Sequence, residues 1–227
     1  MKFNINNKII HIFCNDSSLN ELPVIILNTF NNEGQSIWEK CNELGVKDFI
    51  LISIAKMSWN NDLTPWECPP LYNGDSKCLG YADSYLKEIE NNIIPKIESY
   101  IINTLNKKIS YYAITGYSLG GLFALYSGYK TNRFKRIVCA SGSLWYPNFS
   151  EYVKNNKLSN NIDKIYFSLG NKEAKSKIEI LSSVEDKTKE IYEYVSKNIK
   201  SIYEENEGNH FKNTTIRIVK GIKWILE

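Results

Sequence analysis

The chain has 227 residues, of which 43% are apolar, and its 28 basic and 25 acidic side chains leave a net charge of +3. That size suits one α/β domain, residues 1–227, with a sizeable core, and the composition is that of an ordinary soluble globular protein. Lysines are interspersed with acids, so no basic arm marks a nucleic-acid surface.

The opening "MKFNINNKIIHIFCNDSS" has neither the apolar stretch nor the small-residue cleavage site of a signal peptide. No apolar run approaches the length of a membrane span. The five cysteines, Cys14, Cys41, Cys68, Cys78 and Cys139, are odd in number and contain no C-x-x-C pair. This argues against zinc and thioredoxin-like sites, and for free thiols in or near the core of a cytoplasmic protein.

Along the chain, "KFNINNKIIHIF" reads as a hairpin turning at Asn6 and Asn7. "LPVIILNTF" and "KDFILISIA" are buried strands, separated by the helix "QSIWEKCNELG" with its stop at Gly45. A long polar and aromatic loop follows, from Lys56 to Gly80. "YADSYLKEIENNIIPKIESYI" has helical spacing with a kink at Pro95. Then come strand "ISYYAIT", helix "GGLFALYSGYK", and strands "FKRIVCASG" and "NIDKIYFSLG". A helical stretch over 173–199 in one or two pieces, strand "SIYEENEG" and a terminal helix "TTIRIVKGIKWILE" complete the order. Strands alternating with helices predict a mostly parallel sheet covered on both faces, with the hairpin as an antiparallel addition.

"GYSLG", residues 116–120, sits between a predicted strand and a predicted helix. That context is what the G-x-S-x-G nucleophile elbow requires. A tight turn holds Ser118 with its hydroxyl exposed, and Gly116 and Gly120 let strand and helix approach. The amide of Leu119 opens the helix, where unpaired donors and the dipole favour an oxyanion. A serine needs a base. Of the two histidines, His11 precedes the serine and His210 follows the last strand. The α/β-hydrolase order, with histidine last, selects His210. For the acid, Glu173 stands just past the end of "KIYFSLG", Asp163 at the wrong end of that strand, and Asp186 deep in a helical stretch.

The segments "NNDLTPW", "YLKEIENNIIPKIE", "GYSLGGLFALY", "ASGSLWY", "SLGNKE" and "EGNHF" occur in an order that resembles one family. It is the group of esterases of the α/β-hydrolase superfamily that includes esterase D-type and siderophore (enterochelin-type) esterases. The resemblance runs from about Asn60 to His210. It implies an α/β-hydrolase fold, Ser118 as nucleophile, Glu173 as acid and His210 as base, with no metal or organic cofactor. The chain departs from the family in having Tyr117 where a histidine is frequent and Gly142 where a proline is frequent. It also lacks the Asp-Gly pair that helps form the oxyanion hole, leaving Thr29 or Phe30 as second donor beside Leu119.

The Lys56–Gly80 loop, with Trp59, Trp66, Tyr72 and its prolines, reads as a lid or pocket wall. Trp145 lines the same cleft or packs beneath it, while Trp38 and Trp224 read as core. These readings converge on a serine esterase acting on a small-molecule ester. Acyl transfer or thioester hydrolysis by the same residues is a variant, and a non-catalytic hydrolase-fold binding protein is the competing class. A nucleotide-binding α/β domain is disfavoured, because no P-loop is present. Acyl and alcohol specificity and oligomeric state leave no readable trace.

Overall fold

The computed structural model describes residues 1–71, 74 and 76–227. Tyr72, one of the aromatic residues singled out in the long loop, lies outside them. The elements in chain order begin with β1 (Lys2–Ile5), β2 (Lys8–Cys14), β3 (Glu21–Asn28), α1 (Gly34–Glu43) and β4 (Ile50–Ala55). Next are α2 (Trp59–Asp62), β5 (Glu67–Cys68), β6 (Cys78–Leu79), α3 (Ala82–Glu88) and α4 (Ile94–Asn103). The second half holds β7 (Lys108–Tyr117), α5 (Leu119–Lys130), β8 (Phe134–Ala140), α6 (Phe149–Asn155) and β9 (Lys164–Gly170). It ends with α7 (Glu179–Ser182), α8 (Val184–Val195), β10 (Lys200–Asn206) and α9 (Thr214–Leu226).

One eight-stranded sheet runs β1-β2-β4-β3-β7-β8-β9-β10. The β1–β2 and β2–β4 pairings are antiparallel, and every pairing from β4 through β10 is parallel. The strands are parallel because each apolar run is returned by a helical crossover, and the central ones are β-branched and buried on both faces, as such sheets require. In β4 all six residues are buried. One face packs against α3, α4, α5, α6 and α8, and the other against α1 and α9. This is the predicted α/β-hydrolase arrangement, with the hairpin β1–β2 at one edge and β10 at the other.

Two local readings are refined. The kink at Pro95 takes the form of a π-helical segment, Ile89–Ile93, between α3 and α4, which carries Pro95 in its first turn. Proline donates no hydrogen bond and its ring crowds the carbonyl of residue i−4, here Asn91, so the helix widens just before it. The Lys56–Gly80 stretch carries structure of its own, the short α2 and the two-residue ladder β5–β6. The helix α6 had no counterpart in the sequence reading. None of the five cysteines forms a disulfide. Among the described residues, no helix is long and apolar enough to cross a membrane.

Six parallel strands put their carboxyl ends at one edge of the sheet, where open α/β folds collect their ligands. Ser118 follows β7, Ser141 and Ser143 follow β8, Glu173 follows β9 and His210 follows β10.

Candidate active site

Ser118 joins β7 directly to α5, with φ 57° and ψ −123°. An L-residue avoids that region, and strain of this kind persists only where the surroundings dictate it. Here they do. A Cβ on Gly116 would fall 2.3 Å from the carbonyl carbon of Gly120, so strand and helix cannot meet this closely with any other residue at 116. A Cβ at Gly120 would meet only ordinary contacts, from 3.4 Å outward. The Ser118 carbonyl accepts hydrogen bonds from the amides of Gly121, Leu122 and Ser143. The elbow is thereby pinned to the β8 loop as well as to its own helix.

Glu173 and His210 meet. Nδ1 of His210 lies 2.6 Å from Oε2 of Glu173. An ionised carboxylate only accepts, so Nδ1 carries the proton and Nε2 is left with its lone pair free. The other oxygen, Oε1, accepts from the Gly170 amide at 2.7 Å and from the Arg217 guanidinium at 2.7 Å. Burial on its own would raise the Glu173 carboxyl. The hydrogen bond and charge of His210, with the Gly170 amide and the Ser141 hydroxyl, outweigh it and hold the group below its ordinary value. The glutamate side chain is 3% exposed, whereas the imidazole is 30% exposed and reaches the cavity.

Ser118, Leu119, Glu173 and His210 all line one cavity of about 550 Å³. Among the described residues Ser118 Oγ has its hydrogen bond with Ser143 Oγ, at 3.3 Å, and none joins it to His210. Such bonds are commonly long or unmade before substrate arrives. Asp186 sits in the first turn of α8, and among the described residues the carboxylate bonded to the imidazole is that of Glu173. Asp163 pairs with Arg136 at the start of β9. His11 bonds Asn32 on the hairpin side.

The pocket walls divide the three tryptophans. Trp59, on α2, and Trp145 line the cavity. Trp66 does not, and that expectation is corrected. Its indole N–H donates to the Pro147 carbonyl at 2.9 Å, and its ring packs among Tyr146, Phe149 and Tyr152. It fastens the long loop to α6 instead of facing substrate. A wall that the sequence reading missed comes from Leu181 and Val184, where α7 meets α8.

Thr29 is likewise corrected as an oxyanion donor. Its amide and its hydroxyl both donate to the Ile54 carbonyl, each at 2.9 Å, and the residue is buried. Phe30, the other residue considered there, is exposed with its ring 5.2 Å from Trp59. Leu119 keeps the expected position, in the first turn of α5, where helix amides lack intrahelical partners.

Residues 20–215 match the model of the family described as "Putative esterase". The chain belongs to this esterase family. It is therefore a carboxylic ester hydrolase. Among curated proteins, YbbA of Bacillus subtilis (strain 168) is 23% identical over 203 residues, covering 86% of this chain and 80% of that protein. Two solved structures share the fold at 18% identity. The siderophore hydrolase EstA from Aspergillus nidulans has a TM-score of 0.75, covering 100% of this chain and 93% of its own. An IroE-like serine hydrolase from Shewanella oneidensis has a TM-score of 0.76, covering 96% and 75%.

Proposed function

We propose that the chain, acting as one domain over residues 1–227, is a cytoplasmic serine esterase that works through an acyl-enzyme with Ser118, His210 and Glu173. The observation that carries this reading is the 2.6 Å bond from His210 Nδ1 to a buried, ionised Glu173, at the cavity that Ser118 also lines. With Nδ1 engaged, Nε2 is the free base. Rotation of Ser118 Oγ away from Ser143 brings its proton to Nε2 as the oxygen attacks the ester carbonyl. Glu173 stabilises the imidazolium that forms. The oxyanion accepts from the Leu119 amide and, as second donor, the amide of Phe30. His210 then returns the proton to the departing alcohol, leaving the acyl group on Ser118. Water, deprotonated by the same nitrogen, releases the acid and restores the serine.

The cavity has the volume of a small-molecule site, with the aromatic walls Trp59 and Trp145 and the aliphatic Leu181 and Val184. This suits an ester with a substantial apolar group. Siderophore lactones enter the substrate panel because the structural neighbours EstA and IroE are named as a siderophore hydrolase and as an enterobactin and salmochelin hydrolase. Short-chain aryl esters and thioesters complete it.

The test pairs that panel with Ser118→Ala. The variant is expected to fold and to retain only the residual catalysis that an oxyanion hole and binding supply. A fluorophosphonate is expected to label the wild type at Ser118. Full activity in the variant, or labelling of a different serine, would remove the reading.

A further inference from the structure

Arg217 is the largest fully buried side chain among the described residues, at 0% exposure in the first half of α9. It lies two positions past the end of the family match. Its guanidinium joins all the loops that carry the acid–base pair. One terminal nitrogen donates to Glu173 Oε1 at 2.7 Å, to Tyr117 Oη at 2.9 Å and to Ser141 Oγ at 2.9 Å. The other donates to the carbonyls of Asn209 at 3.0 Å and Glu207 at 3.2 Å, the residues just before His210. Tyr117 closes the circuit by donating to the carbonyl of His210 itself, at 2.8 Å. The space is made to fit. A Cβ on Gly170 would fall 2.6 Å from the guanidinium. Nε, by contrast, is buried with no hydrogen-bond partner.

A buried cation is a poor way to gain stability, since an apolar replacement of similar volume is frequently neutral or better. An unpaired buried N–H adds a further cost. What the arrangement supplies is geometry. Four N–H groups of one planar fork, one of them shared between two acceptors, reach five oxygens and fix where Glu173 stands relative to the backbone that carries His210.

We propose that Arg217 is a positioning residue for ester hydrolysis, holding the Glu173 carboxylate and the His210 loop in register while touching no substrate. The inference rests on the Ser118–His210–Glu173 reading. It has two separable consequences. The fork sets distance, and so affects kcat. Its charge opposes any additional proton on the Glu173–His210 pair, and so affects where activity falls on acidification. The other titratable groups around the pair are Tyr117 from β7 and Tyr203 from β10, both within the field of the Glu173 carboxylate, and Lys172 and Lys175 from the β9 loop, which line the same cavity, while Glu207 is engaged by Lys212. Among the described residues, Arg217 is the one lysine or arginine in hydrogen-bond contact with Glu173.

The test measures kcat and KM against pH, on a short-chain aryl ester, for wild type, R217M, R217K, E173Q and the double variant E173Q/R217M. Near-ultraviolet circular dichroism checks folding. R217M is expected to lose about 10²-fold in kcat, the scale of a misplacement of about 1 Å, with KM nearly unchanged. Its acid limb should move up by about one pH unit. R217K keeps the charge and loses the fork, so kcat falls while the acid limb stays. On the E173Q background, R217M should cost only a few-fold more, because the two act as one unit.

A folded R217M with wild-type kcat and acid limb would overturn the proposal. So would a loss that multiplies in full with that of E173Q. If R217M does not fold, R217K decides, and wild-type kcat there overturns the argument. An unchanged kcat in E173Q alone is a different failure, which removes the triad reading and this inference with it.

Discussion

The two sides of the cavity are built in opposite ways. The side that carries Glu173 and His210 is cross-linked by buried charge, with Arg217 bonded to three loops at once. Among its described residues, the opposite wall, from Trp59 to Gly80, is held by a two-residue ladder, by hydrogen bonds that are mostly local or to backbone, such as Trp66 Nε1 to the Pro147 carbonyl and Tyr146 Oη to the Trp66 carbonyl, by the Lys8–Asp62 ion pair and by aromatic contacts. The first arrangement suits chemistry that tolerates no displacement. The second suits a surface whose side chains can be exchanged without disturbing the reacting atoms, as specificity requires.

The sharpest way to break the first side is Glu173→Gln. It leaves the imidazole free to take the wrong tautomer, and kcat is expected to fall by up to about 10⁴-fold near neutral pH. Asp186→Asn, in contrast, should leave kcat within about twofold, as for surface changes away from the machinery. Steady-state kinetics on both variants checks the pair. The same glutamate carries a stability signature. Its carboxyl lies below its ordinary value in the folded protein. Its contribution is therefore complete above the unfolded pKa, about 4.3, and is lost as pH falls through the lower folded value. Urea midpoints followed from pH 7 toward pH 3 should drop more steeply for wild type than for Glu173→Gln.

On the second side, Trp66→Ala and Trp59→Ala should part company. Trp66 ties the loop to α6, so its loss is expected to cost about 3 kcal/mol of stability, the scale for truncating a packed aromatic. Substrate preference should barely move. Trp59 lines the cavity, so its loss should alter the preference among acyl or alcohol groups by about tenfold, with a smaller change in melting temperature. Thermal melts and a substrate panel on both variants separate the roles. Equal shifts in specificity would erase the distinction between wall and fastening.

The fold was legible because its signals are local. Period-two and β-branched runs marked the strands, and Gly45 and Pro95 marked the irregularities of the helices. The Ser118, Glu173 and His210 cluster was legible because parallel strands force their carboxyl ends together, so chain order alone brings distant loops to one edge. Trp66 was misread because a long loop folds back on itself. Composition reveals that it is aromatic, but not which rings face inward. Thr29 was misread because its donors are consumed by Ile54, a partner on the neighbouring strand that no spacing discloses. Arg217 did leave a signal. It shares the stripe of Gly221 and Ile225, which are buried in α9. A charge on an apolar stripe demands a buried partner, and that partner is Glu173.

The same sheet that gathers these loops also ends in β10, which is paired on one side only, to β9. A strand with an open row of backbone donors and acceptors is a template on which a second chain can add. Charged residues stand along it, Lys200, Glu204 and Glu205, and Lys220 and Tyr166 anchor the carboxylate of Glu204. The opposite edge is the four-residue β1. Charge at one border and brevity at the other oppose strand addition between molecules.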